Sequence, residues 1–108
     1  METEYRKGFY YKGKRLFSYP LQSETDDTQI ATMEMLAFQQ GCSILDIEVL
    51  LEECAPKQRD FARDCMTERM GDHKGKERWR ILNVTNGTLY THVGPLEEFA
   101  ELYEAGNA

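Results

Sequence analysis

The residues able to carry out chemistry are few and scattered. His73 and His92 are the two imidazoles, and neither has a nucleophile or carboxylate at a motif spacing that would make it a general base. Ser18, Ser23 and Ser43 lie outside any G-x-S-x-G setting, and the chain holds no phosphate loop and no dinucleotide fingerprint. Glu52-Glu53 and Glu97-Glu98 are adjacent carboxylates, which on a helix point to different sides and cannot work as an acid–base pair. Cys42, Cys54 and Cys65 offer no C-x2-4-C spacing, and the two histidines no H-x3-5-H. These residues imply no enzyme, no metal and no cofactor, and three reduced, buried thiols in a cytoplasmic protein.

Two constellations remain, both of charge. From Leu21 to Cys54 there is no Lys or Arg, while Glu24, Asp26, Asp27, Glu34, Asp46, Glu48, Glu52 and Glu53 bring the segment to −8 in a chain whose total is −6. Residues 81 to 108 add −4 with no basic residue, whereas residues 1 to 20 and 55 to 80 each sum to +3. Charge segregated in this way makes surface patches that steer partners of opposite sign, while a merely solubilising surface ordinarily mixes both signs. The second constellation lies in residues 5 to 19, where Arg6, Lys7, Lys12, Lys14 and Arg15 alternate with Tyr5, Phe9, Tyr10, Tyr11, Phe17 and Tyr19. Cations among rings suit single-stranded nucleic acid; equally, the rings bury while the Lys and Arg stems cover their edges.

What must position these residues is one domain over residues 1–108, a length that supports one core but not two. At 41% apolar and 11% aromatic the chain is a globular mixture, not a disordered acidic tail. No apolar run approaches the roughly 20 residues of a membrane span. The acidic start Met1-Glu2-Thr3-Glu4 does not read as a signal peptide, so a soluble, unexported protein is expected.

Tyr5 to Tyr11 and Lys14 to Tyr19 read as a hairpin turning at Lys12-Gly13 and ended by Pro20. Its register would put Tyr5, Lys7, Phe9 and Tyr11 on one face with Lys14, Leu16 and Ser18, leaving neither face cleanly apolar. A polar loop over 21 to 26 leads to a helix capped by Asp26 or Asp27 and running to about Gln40. Ile30, Ala31, Met33, Leu36, Ala37 and Phe38 form its apolar stripe, and Gly41 closes it. Residues 43 to 53 fit both strand alternation and a helix opened by Ser43 and Asp46; helix is slightly favoured. In that form Met33 to Glu52 has the outline of a helix-turn-helix, but its second helix would carry Asp46, Glu48, Glu52 and Glu53, which DNA repels.

A further helix is expected from Pro56 to Gly71, with Phe61, Ala62, Cys65, Met66 and Met70 on its apolar side. Asn86-Gly87 predicts a second hairpin with Val84 opposite Leu89. One face would be mostly apolar, the other would carry Trp79, Ile81, Asn83, Tyr90 and His92. After Gly94-Pro95, Leu96, Phe99, Ala100 and Tyr103 mark a last helix, with fraying over 105 to 108. The expected fold is α+β: two antiparallel β-hairpins in one sheet, packed with three or four helices.

The functional expectation is a non-enzymatic acidic protein that docks on and inhibits a basic macromolecule, such as a nucleic-acid-processing enzyme or toxin. Immunity proteins, antitoxins and viral or phage anti-defence inhibitors are of this size and charge. Asp26, Asp27, Glu34, Asp46, Glu48, Glu52 and Glu53 would steer the approach, and Trp79, Tyr90 and His92 would anchor it if the second hairpin's face is open. The alternative is a small nucleic-acid or nucleotide-binding module using Arg6, Lys7, Tyr10, Lys14 and Arg15. Exposed aromatics on a hairpin would also serve a homodimer seam.

Overall fold

Strand-forming residues cluster around two identical turn signals. Tyr11-Lys12-Gly13-Lys14 and His73-Lys74-Gly75-Lys76 both place Lys-Gly between paired strands. Both central residues have positive φ, 50° and 75° in the first turn and 52° and 79° in the second, which is the two-residue turn that matches strand twist. The computed structural model describes residues 4–21 and 26–106. Strands β1 (Tyr5–Tyr11), β2 (Lys14–Pro20), β3 (Glu48–Glu53), β4 (Cys65–His73), β5 (Lys76–Asn83) and β6 (Leu89–Val93) form one antiparallel sheet in the order β3-β1-β2-β4-β5-β6. Helices α1 (Asp26–Gln40), α2 (Arg59–Asp64) and α3 (Leu96–Glu104) complete an α+β fold. Among the described residues no helix is long and apolar enough to cross a membrane.

The sheet is covered differently on its two faces. Phe9, Phe17 and Tyr19 pack edge-to-face or tilted beneath Leu36 and Ala37 of α1, joined by Leu16 and Ile47. On the opposite face Cys65, Trp79 and Ile81 pack against Phe61 of α2 and Leu96, Phe99 and Ala100 of α3. The residues of β4, β5 and β6 that point toward α1's side include Met66, Glu68, Arg78, Arg80, Leu82, Leu89, Thr91 and Val93. This half of the face stays open, with Leu89 58% and Val93 45% exposed.

The structure corrects five local expectations. The first hairpin has its strands and turn as expected, but a bulge between Phe9 and Tyr10 leaves Leu16 without an opposite residue. The register slips, and Phe9 and Lys7 then share a face with Phe17 and Tyr19, so one face becomes apolar after all. Residues 43 to 53 are not a helix. Ser43 and Asp46 do form a capping box, but it opens only a single 3₁₀ turn at Ile44–Asp46 before β3 begins, so the helix-turn-helix outline is absent. The helix expected to reach Gly71 breaks at Asp64: a 3₁₀ turn at Pro56–Gln58 precedes the short α2, and residues 65 to 73 pair with β5 as a third hairpin. The loop between β5 and β6 is longer than two residues. Asn83 Oδ1 accepts from the amides of Thr85 and Asn86 at 2.9 and 3.1 Å, so Leu82 rather than Val84 stands opposite Leu89. Asp26 and Asp27 lie in α1's first turn, where carboxylates complement the helix dipole, rather than in front of it. Residues 22 to 25 of the polar loop, with Glu24, and residues 107 to 108 of the fraying end lie outside the described residues.

Candidate functional site

The acidic block folds into α1, the turn that follows it and the edge strand β3. β3 is an edge strand, paired only with β1, and it presents Glu48 and Glu53 exposed. The 3₁₀ turn before it exposes Asp46, although one Asp46 oxygen accepts the Ser43 amide at 3.1 Å. α1 runs in the sense of β1, its start held by a Lys7 Nζ to Gln29 Oε1 bond of 2.8 Å, and it exposes Asp26, Asp27 and Glu34. Glu52 differs from the rest. Its carboxylate accepts from Tyr10 Oη at 2.7 Å and pairs with Arg15, so it is neutralised in place. Burial works against Arg15's charge, and Glu52 and Tyr10 outweigh it, raising the guanidinium pKa.

Gly8 makes that cluster possible. A Cβ on Gly8 would stand 1.6 Å from Glu52 Oε1, so only a residue without a side chain leaves room for the carboxylate over β1.

Phe38 and Leu45 are two exposed apolar residues that sequence reasoning did not single out. Phe38 was expected in α1's buried stripe but is 88% exposed, and Leu45 in the following turn is 91% exposed. The turn folds straight back on the helix end, with the Gly41 amide bonded to Phe38 O and the Cys42 amide to Ala37 O. Ile30, Glu34 and Phe38 form one i, i+4, i+8 row along the helix. The signal was available: apolar residues at 30, 31, 33, 35, 36, 37 and 38 span more of a helix than one face can bury.

The expected aromatic anchors are not on an open face. Trp79, Tyr90 and His92 do share one side of the second hairpin, but α3 covers it. Trp79 is 3% exposed, Tyr90 and His92 are half-buried against Phe99, and His92 Nε2 lies 3.6 Å from Glu98. The apolar side of this hairpin, which expectation placed inward, is the side left open.

Three of the five cations of the first hairpin, Arg6, Lys7 and Arg15, are engaged internally. Arg6 is 6% exposed; its Nε donates to Ser18 Oγ at 2.9 Å and its Nη1 to Ala62 O at 3.0 Å, where it caps the end of α2. Burial pushes its pKa down to about 10. Lys7 bonds α1, Arg15 and Tyr10 bond Glu52, and Lys14 stands exposed by the turn. Arg6, Arg15, Ser18, Glu52, Cys54 and Gln58 line a cleft of about 170 Å³ between the sheet and α2 and α3. Burial raises the Cys54 thiol there, and no imidazole is among the lining residues, so the cleft holds no activated nucleophile. The thiols form no disulfide; Cys65 is buried, and Cys42 and Cys54 are half-buried rather than fully so. Among the described residues no three His, Cys, Asp or Glu gather as metal ligands. Comparison with protein families, curated proteins and solved structures finds no match to this chain.

Proposed function

We propose that this chain is a non-enzymatic binding protein of the cytoplasm whose α1–β3 side docks on a basic macromolecule and blocks it, in the manner of immunity proteins, antitoxins or viral inhibitors of nucleic-acid-processing enzymes. The observation that carries the reading is the pair Phe38 and Leu45, two large apolar side chains almost wholly exposed in a segment that also exposes Glu34, Asp46, Glu48 and Glu53 and holds no Lys or Arg. Apolar anchors ringed by charge of one sign are what a specific interface needs: the anchors supply affinity on desolvation, and the charges supply steering and exclude wrong partners. Phe38 and Leu45 thus replace Trp79, Tyr90 and His92 as the anchors.

The alternative, nucleic-acid binding through the first hairpin, is weakened by the internal bonds of Arg6, Lys7, Tyr10 and Arg15. The test is affinity capture from native lysate, nuclease-treated, with the wild-type chain and with Phe38→Ala/Leu45→Ala and Glu48→Lys/Glu53→Lys variants, followed by assay of the captured protein's own activity. A basic protein retained by the wild type, released by salt, lost from both variants and inhibited when bound is the expected result. Retention of nucleic acid alone, or equal capture by all three chains, would overturn the reading.

A further inference from the structure

The two edges of the sheet are built differently, and the contrast identifies a second interface. β3 carries Glu48, Glu52 and Glu53, charges of the kind that keep a strand edge from pairing with another chain. β6, Leu89-Tyr90-Thr91-His92-Val93, has no Lys, Glu, Asp or Pro and is paired on one side only, with β5. The Asn83 amide bonds Thr88 O at 2.8 Å and the Gly94 amide bonds Glu77 O at 2.7 Å. In an antiparallel ladder these bonds fix the alternation. Residues 88, 90, 92 and 94 direct their backbone groups to β5, and Leu89, Thr91 and Val93 direct theirs outward.

We propose that β6 pairs with β6 of a second copy of this chain, antiparallel, with the two-fold axis at Thr91. This proposal does not rest on the function proposed above. In this register Thr91 faces Thr91 of the second copy and Leu89 faces Val93, so all three outward amides and all three outward carbonyls of each strand are satisfied. Shifting the axis to Tyr90 or His92 leaves an outward residue of each strand unpaired. The side-chain pairs agree. Leu89 meets Val93 on the open face, covering two apolar residues now 58% and 45% exposed, and Tyr90 meets His92 on the α3 face, so no two like-charged side chains stand opposite. The charge distribution favours a second copy as well. β6 is the edge farthest from β3, so two chains of net charge −6 meet where neither strand is charged and hold their acidic edges apart. A self-pairing edge also closes, whereas pairing β6 with β3 of another copy would run on into an open filament.

Sedimentation equilibrium of the full chain from low micromolar to millimolar concentration tests this, with Thr91→Pro and Leu89→Lys beside the wild type. Proline at 91 removes an amide that points away from β5, and lysine at 89 supplies the missing edge guard. Circular dichroism and thermal melting check that the variants fold, and hydrogen exchange follows the Leu89, Thr91 and Val93 amides. The wild type is expected to reach twice its 12.6 kDa monomer mass, with slower exchange at those three amides as concentration rises. Each folded variant should dimerise at least tenfold more weakly. A wild type that stays monomeric, or a dimer that persists in Leu89→Lys, overturns the proposal; that variant decides the matter alone if Thr91→Pro fails to fold.

Discussion

Replacing Arg6 tests how α2 is tied to the sheet. The guanidinium lies among Ser18, the Phe61 ring 5.3 Å from its carbon, and the carbonyls that end α2, without a carboxylate within ion-pair distance among the described residues. Lowering its pKa to about 10 corresponds to about 3 kcal/mol of net penalty on the charged form, burial being the main cause. Two hydrogen bonds from a charged donor offset this by roughly 1.5–3 kcal/mol each, and the contact with Phe61 adds about 1 kcal/mol. The arginine is thus a modest net stabiliser, by about 1–4 kcal/mol. Arg6→Met removes both the penalty and the bonds and leaves Ala62 O and Ser18 Oγ unpaired, which sets the expected loss at about 2 kcal/mol. Arg6→Ala adds a cavity and should lose about 4 kcal/mol. Urea unfolding read by tryptophan fluorescence is a suitable assay, because Trp79 is buried in the adjacent cluster. The sign of the pH dependence follows from the lowered pKa. Below about pH 10 both folded and unfolded states hold the proton and the penalty is constant; from about pH 10 up to the pKa of a free guanidinium the unfolded state binds more protons, so this group's contribution rises with pH. An Arg6→Met protein as stable as the wild type, or more so, would refute the account. It would mark the buried charge as kept for the cleft's contents rather than for the fold.

Gly8→Ala forces the Glu52 carboxylate aside and breaks its bonds to Tyr10 and Arg15. It should lower stability by about 1–2 kcal/mol, with most of the loss absent when Glu52→Ala is the background, as a double-mutant cycle by thermal melting will show. Asn83→Ala deletes an amide that holds two loop backbone groups and donates to Tyr103 Oη at 2.8 Å; a loss of about 2–3 kcal/mol and faster hydrogen exchange at Thr85 and Asn86 are expected. Asp64 gives the acid limb. Burial works against its carboxylate, but bonds from Arg63, Tyr103 and Thr85 outweigh it and hold the pKa below 3.8. Its contribution is therefore complete above the unfolded pKa and is lost as pH falls through the folded one, so Asp64→Asn should flatten the decline in stability below about pH 4. An unchanged decline would refute that assignment.

The elements that could be read from the sequence were those whose signal is local. Lys12-Gly13 gave the first turn, Gly41 the end of α1, and Leu96, Phe99, Ala100 and Tyr103 the last helix, which buries the first three of these residues. β4 escaped because Phe61, Ala62, Cys65, Met66 and Met70 fit a helical period, while the residues it turns toward α3 include Cys65 and Thr67, neither an obvious core residue. What makes it a strand is pairing with β5, which no window of its own sequence contains. The overlooked clue was the repeat of Lys-Gly-Lys at 12–14 and 74–76. Residues 43 to 53 carried both patterns at once, and β1 decided between them by offering an edge. The bulge at Phe9 and the cover of α3 over Trp79 are likewise matters of packing, so the aromatic face of the second hairpin, read as open from the sequence, is closed.

The order of strands turns a charge pattern along the chain into one across the sheet. β3 brings carboxylates to one end, and β6 at the other end has no Asp, Glu, Lys or Arg. Between them two cations of β4 and β5 are met locally, Arg69 by Asp72 and Glu77, and Arg80 by Glu68. The carboxylates of β3 then have two effects of the same origin. They repel another strand that would add to that edge, and they attract a basic surface that approaches it. On the readings proposed above, a partner that reads charge would arrive at β3 and α1, and one that extends the sheet would arrive at β6. The two proposed contacts would lie at opposite edges of the sheet, so a pair joined through β6 would leave the acidic edge of each chain free.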